Sequence, residues 1–562
     1  MKADLIIKNG DILSFDLTGN IETYNAAAIC DDRIVALGED SDILNMADSE
    51  TKIIDACGNT VLPGFCDSHV HASFTTELVC GARIEYMMPE AGENRDSYIA
   101  RMLENVRIYA DKHPEAEVIR AMGWNPAAFQ MDPQGLPTGK DLDKICSDRP
   151  VLLTSYCHHY IWLNTKALEM TGINSDTKLP YGCIVFKDSE GNPTGMFQEF
   201  PAIEMVLNSF PMADYSVEEY EKGIIAYQQE YAFKNGITVC FDPVVRKNAL
   251  KAYQNLVKKD ALKLRVSGAF LADPTLPVSQ FEKIVEAKNN YRNGDSFKMD
   301  TVKFFFDGSG LEFYLNEPFP KSVLEVNKLP ADYKGKYIWS LEQAKEAFLY
   351  LAKEGFNIHV HAMGDGAVKE AIDAFEYVYN QGIRGLKHVI THIMLIDEND
   401  IKRMNQLGVI AAMQPHWGQY DGFADTAMVQ LLGKERTLRS YPMGQLVENG
   451  VKCSFATDFP VIQHYNTFIE IQTGMTRRVP RSSPEYGMYD AIPVLHQVPL
   501  NEMLKALTIM GAYQLSFDDA CGSFGKGKSA DFNILDKNIR AIDVEDIENI
   551  KINKLIVRGC EV

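Results

Sequence analysis

From about residue 216 onward, polar and apolar positions follow a repeating order: a helix-period stretch closes near a glycine, and a short β-branched or aromatic run follows it. Ser216 with Glu219 three residues later has the form of a capping box, opening a helix that should close near Lys234-Asn235-Gly236 before a strand Ile237–Phe241. Ser279/Glu282 and Ser340/Gln343 repeat that opening. Further strands are predicted at 264–270, 301–306, 356–361, 388–393, 409–413 and 451–456, and Gly355, Gly408 and Gly450 each stand just before one of them. With Val61-Leu62 leading into Gly64-Phe65 near the front, the count reaches eight.

Eight strands alternating with helices predict an α/β protein built on a (β/α)8 TIM-like barrel. An open doubly wound sheet is the runner-up, but no Gly-x-Gly-x-x-Gly follows a first strand. The expected barrel uses residues 61–75 plus 216–517. Residues 76–215 interrupt it with their own strand-like runs (Glu117-Val118-Ile119, Val151-Leu152-Leu153) and are expected to form an inserted α/β lobe over the barrel mouth. Residues 1–60 and 518–562 carry short strands broken by turns such as Lys8-Asn9-Gly10, so one small β-sandwich built from both termini is expected.

Composition narrows the function classes. The chain has 562 residues, 46% hydrophobic and 24% charged, within the range of folded globular proteins. A formal charge of −21 would repel a phosphate backbone or an anionic bilayer face, so neither nucleic acid nor membrane is an expected partner. The expected partner is a small molecule, and nothing in the chain speaks against a homodimer. Eleven cysteines without a CxxC fit reduced thiols, and no apolar run approaches the ~18 residues of a spanning helix. A cytoplasmic location is the expectation, supported by an N-terminus that lacks the basic, then apolar, order of a signal peptide.

Candidate chemistry lies at the predicted strand ends. His69 and His71 follow an apolar strand with the two-residue spacing that, on a strand, points both imidazoles the same way, as a borderline metal such as Zn²⁺ requires. An HxH pair alone is weak, and the chain has a second, His359 and His361. His361 and His392 also close predicted strands, and Asp458 follows another. Because strand C-termini converge on one face of a barrel, these residues could meet at a metal site. Lys303 sits inside an apolar strand; it could snorkel, pair with Asp307, or react with CO₂ to give an anionic carbamate.

These residues fall in an ordered series of motifs: Val61-Leu62-Pro63-Gly64-Phe65, Asp67-Ser68-His69-Val70-His71, Gly123-Trp124, Arg149-Pro150-Val151-Leu152-Leu153 and His159-Tyr160-Ile161-Trp162-Leu163-Asn164. The series continues with Val302-Lys303-Phe304, Asp307-Gly308-Ser309, His361-Ala362-Met363-Gly364-Asp365, Met413-Gln414-Pro415, Thr457-Asp458-Phe459-Pro460, Thr476-Arg477-Arg478 and Gly522 to Asp531. Through it the chain resembles the amidohydrolase superfamily, in the branch (amidohydrolase family 3) that includes N-substituted formamide deformylase. That resemblance implies a metal-dependent hydrolase of a non-peptide amide or formamide-like C–N bond. It implies His69 and His71 on one Zn²⁺, His361 and His392 on a second, a carboxylated Lys303 bridging the two, and Asp458 as ligand and proton shuttle. His359 matches no ligand position and reads as a structural histidine or one that supports a ligand.

The resemblance also places Trp124, His159 and Glu199 near a substrate pocket. Trp124 could face an apolar substituent and His159 could polarise a carbonyl; a packed aromatic and a buried, paired histidine are the alternatives. Arg477 and Arg478 read as a surface or helix-capping pair, with contact to an anionic substrate group as the other reading. Gly366 stands where relatives commonly carry Arg, and Phe455-Ala456-Thr457 replaces smaller residues before Asp458. Two other functions stay open: a mononuclear deaminase or cyclic-amide hydrolase with one metal, and an inactive regulatory or scaffold protein on the same fold.

Overall fold

A computed structural model of the chain describes every residue except Met1, Tyr86, Gln130, Met131, Pro133, 180–182, 289–291, Gly294, 463–464 and 490–495. Eight parallel strands form a nearly closed barrel: Phe65–Asp67, Ile237–Asp242, Arg265–Leu271, Phe297–Phe305, Asn357–Ala362, Val389–His392, Ile410–Met413 and Cys453–Phe455. First and last strands meet where the backbone N and Oγ of Ser68 both donate to the Phe455 carbonyl, at 3.3 and 2.9 Å. Seven of the expected strands are present with ends shifted by a few residues. The helix openings hold as well: Ser216 and Ser340 both form capping boxes, and a helix starts at Gln280.

The eighth strand departs from expectation. Val61-Leu62 belongs to the strand Thr60–Pro63, which pairs with Asp11–Phe15 and with Phe532–Leu535 in a terminal sheet. The barrel's own first strand begins only at Phe65. Gly64 is the transfer point between sheets: a Cβ there would meet the Thr238 side chain at 2.2 Å, so only glycine lets the chain pass this close.

Both termini contribute to the sandwich. One sheet has four strands drawn from residues 5–55; the other has six, drawn from residues 11–63 and 532–561. Leu5, Ile7, Ile29 and Ile54 of the first face Ile12, Val61, Phe532, Ile534 and Ile556 of the second in a shared core. Between the first two barrel strands stands a six-stranded mixed sheet from Ala82–Arg83 to Pro193–Gln198. Helix Arg95–Lys112 packs with Trp124 and Trp162 in one of its cores, and helix Phe200–Ser209 with Leu163 and Phe197 in another. Among the described residues no helix is long and apolar enough to cross a membrane.

Candidate metal centre

The imidazoles of His69 and His71 come together, though not by strand alternation. The strand stops at Asp67, and both histidines lie in the loop beyond it. Backbone hydrogen bonds to neighbouring strand ends fix that loop: Val70 N donates to Phe241 O at 2.9 Å, His71 N to Phe459 O at 2.8 Å, and Asp458 N to His69 O at 2.9 Å. The result is that Nε2 of His69 and Nε2 of His71 each lie 3.4 Å from the same oxygen, Oδ1 of Asp458.

Register brings the rest. Phe305 is level with His361 in the next strand, and Ala362 with His392 in the one after. The His361 and His392 rings lie 4.6 Å apart, and His392 is 5.0 Å from His69. His392 and Asp458 adopt left-handed backbone, φ 75° and 61°, a conformation uncommon outside glycine and one that recurs where a side chain must be aimed into a site.

Three of these groups are buried with an atom that finds no hydrogen bond: Nε2 of His361, Oδ1 of Asp458 and Nζ of Lys303; Nδ1 of His71 is unbonded as well, but it is the ring nitrogen other than the one beside Asp458. Leaving a buried polar atom unsatisfied costs about 1–3 kcal/mol each, so a cluster of three marks a place built to bind something else. The donor set, imidazole nitrogens and a carboxylate, is that of Zn²⁺ or a similar divalent ion, and His69, His71 and Asp458 offer ligand atoms within 4.8 Å of one another. Burial pushes the pKa values of His69, His71 and His361 well down, and that of His392 to about 3, which keeps all four neutral as ligation demands. Burial lifts Asp458 to about 6.

Lys303 is fully buried and makes no ion pair with Asp307, so neither snorkelling nor that pairing describes it. Asp307 instead accepts from the backbone N of Met363, Gly364 and Tyr314 at 2.9–3.0 Å. Burial draws the Lys303 ammonium down to about 7, so an appreciable fraction is the neutral amine that can attack CO₂.

Supporting groups surround these residues: His359, which matches no ligand position and is expected to be structural or to support a ligand, does the latter, whereas nothing local marks Gln414. His359 Nε2 lies 2.8 Å from His69 Nδ1, and Gln414 Oε1 lies 2.9 Å from His392 Nδ1, each holding the outer nitrogen of a proposed ligand. Trp417 stacks on His392 at 5.2 Å. Asp67 accepts from Thr457 Oγ1 at 2.6 Å and Tyr465 Oη at 2.9 Å, which gives Thr457 a function where smaller residues were expected. At Gly366 a Cβ would meet Tyr314 at 2.8 Å, so the room that an Arg would need is filled.

The three lobe residues divide. His159 reaches the centre, its ring 5.5 Å from His361, and Glu199 accepts from its Nδ1 at 2.6 Å; this carboxylate and those of Asp458 and Asp307 hold the His159 pKa up against its burial. Trp124 does not reach it. Its ring is fully buried in the lobe core against Trp162 and Phe129, with Nε1 donating to Leu153 O, so it is the packed aromatic of the two readings. Arg477 is buried rather than on the surface: it caps helix Thr467–Thr476 with left-handed backbone, and its guanidinium donates to the carbonyls of Tyr441 and Ser440 at 2.6 and 2.8 Å. Arg478 faces solvent toward Glu545.

A model of the amidohydrolase family matches residues 52–562. The chain is 25% identical over 527 residues to the putative amidohydrolase YtcJ of Bacillus subtilis (strain 168), covering 91% of this chain and 90% of that one. It is 21% identical over 569 residues to N-substituted formamide deformylase of Arthrobacter pascens, covering 99% and 97%. Among solved structures, an uncharacterised metal-dependent hydrolase from Pyrococcus furiosus shares the fold with a TM-score of 0.67 at 23% identity, covering 94% of this chain and 98% of that one.

Proposed function

The chain belongs to the amidohydrolase family of metal-dependent hydrolases acting on carbon–nitrogen bonds other than peptide bonds, and on that premise we propose that its substrate is a small formamide or N-acyl amine. The observation that carries this reading is the group of buried, hydrogen-bond-orphaned donor atoms at the strand ends, with a carboxylate near neutral pKa among them. His69 and His71 would hold one Zn²⁺ and His361 and His392 a second, with Lys303 as a bridging carbamate. Lys303 reaches that state by attack of its neutral amine on CO₂, forming the N–C bond and releasing one proton. Such ions supply Lewis acidity, lowering the pKa of water toward about 7 and polarising a carbonyl.

The chain's own residues do the rest. Asp458, ionised for the most part at neutral pH, takes a proton from water at Oδ1 and returns it to the departing nitrogen, which leaves only when protonated. His359 and Gln414 keep His69 and His392 turned inward. The strand-end loops bury the site, so the proton exchange happens away from bulk water.

The test is metal analysis of purified protein followed by turnover on N-formyl and N-acetyl alkyl- and benzylamines. About two equivalents of zinc and formamide hydrolysis abolished by chelation are expected. Full activity in a metal-free preparation overturns the reading; one equivalent, with Lys303→Ala still active, overturns the bridged pair.

A further inference from the structure

Glu199 is built in a way that a simple link between lobe and barrel does not require. It stands between strand Pro193–Gln198 and helix Phe200–Ser209 with φ 70° and ψ 153°, a backbone region that is essentially reserved for glycine and costs about 1–3 kcal/mol for other residues. The residue is 2% exposed. Both carboxylate oxygens are engaged: Oε2 by His159 Nδ1 at 2.6 Å, and Oε1 by Gln198 Nε2 at 3.2 Å and the backbone N of Ser309 at 3.3 Å. The barrel makes room for it. A Cβ on Gly308 would lie 2.4 Å from Oε1, so the loop after the Lys303 strand carries glycine where the carboxylate docks.

All of this fixes one ring. The His159 carbonyl also accepts from Glu199 N at 2.8 Å, locking the two residues together through main chain and side chain. Phe200 and Phe305 stack on each other at 4.0 Å, and both lie nearly perpendicular to the imidazole. With Nδ1 committed to Glu199, Nε2 is the atom left over, and it has no hydrogen-bond partner among the described residues, on a ring 5.5 Å from His361. A carboxylate that takes Nδ1–H and fixes the angle of a histidine while the far nitrogen is left free is the arrangement by which a reacting group is aimed, and its negative charge favours the imidazolium, whose Nε2–H can donate.

We propose that Glu199 is a positioning residue that holds His159 as an imidazolium, Nδ1–H on the carboxylate, so that Nε2–H donates a hydrogen bond to the acyl oxygen of the substrate, making the inserted lobe a part of the catalytic site. This deepens, and rests on, the amide-hydrolase reading above. Asp458 handles protons on one side of the scissile bond, and the lobe steadies the charge that grows on the oxygen.

The experiment compares zinc-replete wild type with His159→Asn, Glu199→Gln, the double variant, and Gly308→Ala, which leaves both side chains chemically intact but takes the space of the carboxylate. Each single change is expected to lower kcat about 10²-fold with KM within a few-fold, and the double variant is expected to be no worse than His159→Asn alone. Metal content and melting temperature should stay near wild type; Glu199→Gln that melts normally and keeps wild-type kcat overturns the proposal, as do losses that multiply in the double variant. If Gly308→Ala fails to fold, the other three variants decide. Wild type that turns over no formamide or N-acyl amine defeats the substrate reading instead. The dyad is then read from acetohydroxamate binding, which His159→Asn should weaken about tenfold; unchanged affinity overturns the dyad.

Discussion

The two ends of the barrel bury polar groups to opposite effect. Where the strands begin, Arg265 opens the third strand and donates to Asp531 and Ser529 of the C-terminal segment, while Asp531 also accepts from Arg558 N at 2.7 Å. Nearby, Asn533 Nδ2 donates to Gly236 O at 3.0 Å. These bonds pin the sandwich under the barrel. Where the strands end, His71, His361, Lys303 and Asp458 are equally buried and keep atoms without partners. Nε of Arg265 and Oδ1 of Asn533 lack partners at the lower end too, so the difference lies in the charges: Arg265 is paired with Asp531 across the seam, whereas Lys303 at the upper end has no ion pair among the described residues, as the proposed chemistry there requires.

Breaking that contrast starts at the upper end. Asp458→Asn should lower kcat by about 10³-fold with the melting temperature unchanged or raised, since a buried carboxylate is neutralised. Turnover and calorimetry on one preparation check it, and turnover within tenfold of wild type would erase the distinction. Arg265→Ala should do the reverse. Stranding Asp531 without its cation is expected to cost about 3–5 kcal/mol in urea unfolding, with kcat of the folded fraction intact.

A third place sharpens the comparison. Glu77 lies at the seam between lobe and barrel, buried, with Oε2 unpartnered, and burial pushes its pKa from 4.5 to about 7. The folded protein therefore holds this proton more tightly than the unfolded chain. Its contribution to stability is complete below about pH 4.5 and is lost as pH rises through about 7. Glu77→Gln should exceed wild type in stability at pH 8 by about 1–3 kcal/mol, and by little at pH 5. Equal margins at both pH values would mean that the seam is solvated. The smallest effect belongs to the frame: Ser216→Ala removes a helix cap and should cost about 1 kcal/mol without touching kcat.

Much of this could be read along the chain. The helix-period stretch after Ser216 and the apolar run around Lys303 are local signals, and local signals place strands within a few residues of where they lie. Val61-Leu62 was misplaced because strands of a terminal sheet and of a barrel have the same apolar character; only the approach of Thr238 to Gly64 separates them. Trp124 failed similarly, since an aromatic residue type does not say which face of a sheet it occupies. His359 is legible as a structural or supporting histidine but its partner His69 is not, and Gln414 gives no local signal because His392 lies on another strand.

The sequence by itself determined the alternation of strands and helices, the family, and the residue types at the strand ends, for these depend on neighbours in the chain and on side-chain chemistry. Tertiary structure decided which buried atoms are satisfied. Lys303 is a lysine in any fold, but it is an amine near pKa 7 without a partner only because the eight strands close around it and Asp307 is turned to the backbone of Met363 and Gly364. Hydrogen-bond satisfaction and desolvation are sums over neighbours in space, and those neighbours arrive from His69 to Asp458 only when the barrel closes.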